Sequence, residues 1–165
     1  MKHSMRQELD DLFSMFHDFE IINLTFANNI LDLKIRIPWG ELWDDLDFQI
    51  SVKLSGCEYI HCDYAEVINT SDNLAKKWAE RNSIDKSTND PKTISNLGLE
   101  VQRHKFYAPN KYIFFCNSSK NNYAGGQFNF TTDNYIIYDK AKSQIELDQM
   151  STWCTKWWER IEKNK

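Results

Sequence analysis

Several things that announce a protein class are scarce in this sequence. It has only three prolines and five glycines among 165 residues, and no repeat, low-complexity tract or linker divides it. One domain spanning residues 1–165 is therefore expected. No long apolar run occurs. The opening MKHSMRQELDDLFSMF carries acids early, which argues against both a signal peptide and a membrane span. The four cysteines, Cys57, Cys62, Cys116 and Cys154, form no CxxC pair, so reduced, buried thiols and a cytoplasmic location are expected. There is no GxSxG elbow, and the single pair Gly125-Gly126 lacks a GxGxxG or P-loop setting. Basic charge is also short. The net charge is −4 and the isoelectric point about 5.6, which disfavours a broad nucleic-acid surface and eases approach to a basic partner.

What the chain does hold is core material, with 41% hydrophobic and 14% aromatic residues. Ser4 and Gln7 have capping-box spacing, and Met5, Leu9, Leu12, Phe13 and Phe16 recur at helical spacing, predicting a short helix over about residues 4–15. The period then changes to two. Ile22, Leu24 and Phe26 alternate with polar neighbours, Asn28-Asn29 suits a tight turn, and Leu31, Leu33, Ile35 and Ile37 alternate again until Pro38. A third run, Leu46 to Leu54, has the same period; Ser55-Gly56 reads as a turn and CEYIHCDYAEV as a fourth strand. These runs predict an antiparallel meander with one wet face.

Further on, Ser71 and Asp72 with Leu74 and Trp78 predict a middle helix, and RNSIDKSTNDPKTISN reads as a polar loop. LEVQRHKFY, KYIFFCN, GQFNFTT and NYIIYDK add strands, while residues 141–150 fit strand or helix. STWCTKWWERIEK predicts a helix with Ser151 as N-cap and Trp153, Cys154, Trp157, Trp158 and Ile161 on one face, docked on the sheet. The fold class expected is α+β, with about 7–9 antiparallel strands and these three helices.

Candidate chemistry is sparse. His17-Asp18 has the look of a metal-binding dipeptide but falls at a helix-to-strand junction, where capping is the plainer role. On a regular fourth strand Cys57, His61 and Asp63 share one face and Cys62 the other, and residues four apart on a strand lie about 13 Å apart, too far for one zinc. His104, between Arg103 and Lys105, reads as a strand position on a basic edge. The densest local feature is PWGELWDDLD. Glu41, Asp44, Asp45 and Asp47 stand there with Trp39 and Trp43 and no base among them. The spacing is not that of an EF-hand. It is either a solvated acidic loop or an acidic rim around aromatic anchors, the composition of an interface to a basic partner.

FHDFEIINLTFANNILDLKIRI followed by LDFQISVKLSGCEYIHCDY resembles small bacterial domains among the immunity proteins of polymorphic toxin systems, over about residues 16–64. The resemblance implies a non-enzymatic protein that binds a cognate toxin and blocks its active site. Many such toxins are nucleases with basic clefts, which an acidic binder would be steered to. No cofactor, metal, nucleic acid or membrane is expected under that reading. Two alternatives stay open: a small metal-dependent hydrolase gathering His17, His61, Asp63 or His104, and a domain enclosing an apolar ligand.

Overall fold

The computed structural model describes residues 4–37, 49–67 and 83–163. The middle helix expected after Ser71 lies outside these residues. Helix α1 spans Met5–Ser14, with the Ser4 hydroxyl accepting from the Gln7 amide. Only half of the expected capping box forms, because the Gln7 side chain donates instead to Asp11 at 2.9 Å. The strands are β1 (Phe19–Ala27), β2 (Ile30–Arg36), β3 (Gln49–Ser55), β4 (Ile60–Val67), β5 (Ser83–Thr88), β6 (Leu99–Ala108), β7 (Lys111–Ser118), β8 (Tyr123–Thr131), β9 (Asn134–Tyr138) and β10 (Gln144–Ile145). Helix α2 spans Pro91–Asn96 and α3 Leu147–Lys163. The α+β class stands, with ten strands among the described residues in place of the expected 7–9.

All pairs are antiparallel, and the order is β10-β9-β3-β2-β1-β6-β7-β8-β4-β5. The meander holds through β1, β2 and β3. Asn28 and Asn29 turn the first hairpin with φ of 52° and 58°, the geometry of a two-residue turn that matches strand twist. It then fails, because β4 pairs with β8 and β5 rather than with β3. Gly56 begins a crossing and not a hairpin.

Two short connections decide the shape. Strands β8 and β9 are six places apart in the sheet, about 29 Å if it were flat. Only Thr132 and Asp133 join them, and that stretch of chain reaches about 11 Å. The β3–β4 connection crosses the same six places with four residues. The sheet must therefore curl until these strand ends meet. They are tied there. The Asp133 amide donates to the Ser55 carbonyl at 2.9 Å, the Thr132 hydroxyl donates to the same oxygen at 2.9 Å, and the Glu58 amide donates to the Thr131 hydroxyl at 2.7 Å. Gly56, at φ 73°, lies so close to the Asp133 carboxylate that a Cβ would collide with it.

Helix α1 fills the hollow of this curl. Leu9, Leu12, Phe13 and Phe16 are buried, and the Phe13 ring lies 4.9 Å from Tyr112, 5.1 Å from Phe114 and 5.7 Å from Phe130. From the other wing of the sheet the Tyr135 hydroxyl donates to Glu8 at 3.2 Å. Beyond Ile21 the β1–β6 ladder stops, and Ser95 of α2 takes its place, accepting from the Leu24 amide at 2.6 Å and donating to the Leu24 carbonyl at 3.2 Å.

Two expectations need correcting here. The polar loop of residues 81–96 contains β5 and α2. β5 has no alternation to reveal it, being exposed along nearly its whole length, as an edge strand is. α2 had a visible start, Asp90 capping Thr93 with Pro91 in the first turn. The C-terminal helix begins at Leu147, one residue after β10, so Ser151 is inside it and not its N-cap. Its buried face runs through Met150 and Cys154 with Leu147, Trp153 and Trp157 packed beside them, whereas Trp158 is 51% exposed. Residues 141–150 are thus partly strand and partly helix.

Phe13→Ala should lower unfolding free energy by about 3–5 kcal/mol in urea denaturation, since the neighbouring rings cannot collapse into the space. A loss below about 1 kcal/mol would mean that α1 is no part of the core.

Candidate functional site

The acidic stretch singled out in the sequence, Trp39, Glu41, Trp43, Asp44, Asp45 and Asp47, lies outside the described residues. Its two ends are within them. β2 and β3 are in unbroken register from Ile30↔Ser55 to Arg36↔Gln49, so the chain leaves and re-enters at hydrogen-bonded neighbours. Ile37 is buried at the exit, and Arg36 is held by Glu20 of β1 at 2.8 Å. The segment links the paired ends of β2 and β3.

The outer face of β2 and β3 near Gln49 carries Lys34, Lys53, Lys140 and Lys142 against Asp32 and Asp139, an excess of lysine the sequence reading missed. Lys34, Ser51, Lys53, Tyr138 and Lys142 line a surface groove of about 620 Å³ on β2, β3 and the end of β9. Register explains the cluster: Lys34 faces Ser51 and Lys53 faces Asp32, both on the polar side of an alternating strand. Lys53 also lies 5.5 Å from the Tyr138 ring. Alternation alone places each lysine outward, but only strand order brings them together.

The histidines do not converge. His17 pairs with Asp18 at 2.8 Å, and Asp18 takes a φ of 65° while its amide donates to the Val101 carbonyl at 2.7 Å. That is the junction role. His61 lies on the outer face of β4, between Asp63 at 3.0 Å and Asn89 at 3.1 Å. The Asn89 contact raises its pKa, against slight desolvation, with Asp63 adding to the rise. Cys57 does not join that face. It precedes β4, is buried, and donates to the Tyr59 carbonyl. Cys62 points inward with Ile60, as strand parity requires.

His104 corrects the sequence reading most clearly. A bulge between Val101 and Arg103 shifts parity by one. Arg103 and Lys105 therefore face outward, and His104 turns inward beside Phe13, with Asp10 of α1 at 3.7 Å. It is no basic-edge anion contact. Burial lowers its pKa, and Asp10 partly offsets this. The inner face at this point is thus opposite to the face that carries His61 and Asp63.

The thiols are inert by position. Burial pushes Cys62 and Cys154 up to about 12 and raises Cys57 and Cys116 as well, so the nucleophilic thiolate is disfavoured at neutral pH. The Gly125-Gly126 pair serves packing. A Cβ on Gly126 would run into the Asp63 carbonyl of β4, and one on Gly125 into the Cys116 carbonyl of β7. Among the described residues no group of three or more His, Cys, Asp and Glu side chains is placed to hold a metal, and no helix is long and apolar enough to cross a membrane. Comparison with protein-family models, curated proteins and solved structures finds no match.

Because the folded state disfavours the His104 proton, the unfolded chain binds it first as pH falls. His104 therefore contributes stability that is fully present above about pH 6.5 and is lost below it, through the window down to the depressed folded value. In His104→Asn this decline should be shallower between pH 7.5 and 5 in urea midpoints, and an identical decline in both proteins would exclude His104 as its source.

Proposed function

We propose that the chain is a non-enzymatic protein-binding module of the immunity type, which neutralises a basic toxin domain through the acidic segment of Trp39, Glu41, Trp43, Asp44, Asp45 and Asp47. The observation that carries this reading is the mounting of that segment. Twelve residues, 37–48, with four acids and no base connect the hydrogen-bonded neighbours Arg36 and Gln49. A rigid base lowers the ordering cost of a binding loop, and tryptophans among carboxylates supply apolar anchors within a field that steers a basic partner.

The interior favours the same reading. The hollow of the sheet is occupied by α1 and a cluster of phenylalanines, so binding falls to loops, edges and the outer face. Four free, buried cysteines suit a reducing cytoplasm, where such a module would meet its toxin. The groove that reaches Gln49, where the segment rejoins the sheet, holds four lysines and two aspartates, and both signs of charge restrict the partners and orientations such a surface accepts.

The test is complex formation with the product of the adjacent upstream gene, followed by association kinetics. A stable complex is expected, and replacing Asp44, Asp45 and Asp47 together by Asn should slow association about tenfold at low salt and flatten its salt dependence. No complex, with an upstream product that is no toxin, removes the immunity reading. An unchanged association rate moves the interface away from this segment.

A further inference from the structure

Strand order and register assemble a surface on the outer face of β6, β7 and β8 that no single stretch of sequence shows. Past the bulge, Arg103, Lys105 and Tyr107 point outward along β6. Arg103 stands opposite Phe115 of β7, and Lys105 opposite Ile113. Phe115 and Ile113 stand in turn opposite Gln127 and Asn129 of β8. The face therefore has a half-buried apolar seam, with cations along one margin and amides along the other. On the inner side of the same strands Phe114, Phe128 and Phe130 are fully buried, which fixes this platform to the core.

The cations here are held by rings and not by carboxylates. The Arg103 guanidinium lies over the Phe115 ring, 4.4 Å from its centre, and the Lys105 ammonium lies 4.7 Å from the centre of Tyr107. Lys111, at the start of β7, lies 5.9 Å from the Tyr59 ring across β8. Among the described residues none of the three forms an ion pair. A cation over a ring is positioned without being neutralised. The rings are also reachable, Tyr107 being 58% and Tyr59 37% exposed. Asp63, on the β4 margin, lies beyond Gln127 and is held by His61 at 3.0 Å. The lysines of β2 and β3 differ, since Lys53 there pairs with Asp32 at 3.9 Å.

Unneutralised cations select a polyanion, and exposed rings beside them select one with flat apolar faces. An acidic peptide satisfies the cations but leaves the rings and amides unused. A nucleic-acid duplex keeps its bases stacked on one another and away from the rings. A single strand uses all three features: its phosphates meet Arg103 and Lys105, about 6.8 Å apart along the strand, its bases stack on rings, and its base edges meet amides. We propose that the outer face of β6, β7 and β8 binds single-stranded nucleic acid, with Arg103, Lys105 and Lys111 on phosphates and Tyr107 stacking a base. The net charge of −4 confines such binding to one patch and keeps it modest. This departs from the expectation drawn from net charge, which averages over surfaces that strand order separates. The patch stands independently of the acidic segment and its partner.

The probe is a fluorescein-labelled oligothymidylate of about ten nucleotides, titrated with the full chain at low salt and followed by anisotropy. An abasic strand of the same length, a duplex and an oligoglutamate run in parallel. Saturable binding of the oligothymidylate is expected, with a Kd of about 10–100 μM. Its logarithm should change with log salt at a slope magnitude of about 2, the value for three phosphate contacts on a single strand. Arg103→Gln with Lys105→Gln should weaken binding about tenfold or more and reduce that slope to about 0.7. Tyr107→Ala, at an exposed position, should weaken the oligothymidylate about fivefold or more and leave the abasic strand unchanged. Lys34→Gln with Lys53→Gln, on β2 and β3, should have no effect. The proposal is overturned by the absence of saturable binding up to about 1 mM protein, by equal affinity for the abasic strand, or by an equal loss in the Lys34 and Lys53 variant. Tighter binding of the duplex or of oligoglutamate also overturns it, and assigns the face to that polyanion instead.

Discussion

The fold depends on one geometric constraint: strands six places apart in a single sheet are joined by two and by four residues. Chain reach forbids a flat sheet. The curl this forces creates a hollow, and a hollow lined by Phe114, Phe128, Phe130, Leu33 and Val52 must be filled or it collapses. α1 fills it, which explains why a helix of only ten residues carries three buried large side chains, with Phe16 just beyond its end adding a fourth. The corner at Thr131–Asp133 closes the arrangement with backbone and hydroxyl hydrogen bonds, so polar groups that the crossing would strand are paired. The sheet remains open, its outer strands being β10 and β5.

This constraint also sorts what the sequence can reveal. Local rules read well where one residue's neighbours decide its state. Asn28-Asn29 told of a positive-φ turn, Ser4 of a cap, and the Leu31–Ile37 alternation of an inward face. They fail where the determinant is distant. Nothing near Ser55-Gly56 says that the next strand belongs on the far side of the sheet, because both a hairpin and a crossing begin with a positive-φ glycine. Bulges are a second blind spot. One extra residue near Gln102 reversed the facing of His104 and its two basic neighbours, and periodicity offers no mark for it. β5 was missed for a third reason, since an edge strand exposed on both faces has no apolar signature.

The same geometry bears on function. With the inner face packed, chemistry or recognition falls to the outer face and the loops. The candidate metal-ligand histidines, His17, His61 and His104, are distributed over a junction, the outer face and the helix–sheet interface. Each has a local partner there: Asp18, Asp63 with Asn89, and Asp10. The acidic segment was legible as a run of like charge beside tryptophans. Its mounting on Arg36↔Gln49 and the neighbouring lysine groove emerged only from register.

The measurement that bears most directly on the curled sheet is native-state hydrogen exchange at the Thr132 and Asp133 amides, which donate to the Asn110 and Ser55 carbonyls at 2.9 Å each. If the crossing holds the two wings together, these amides exchange only through global unfolding, and their free energies match that from urea denaturation. Exchange through a local opening far below the global value would mean that the wings separate in the native protein, and the curl would not be the constraint on which the fold depends.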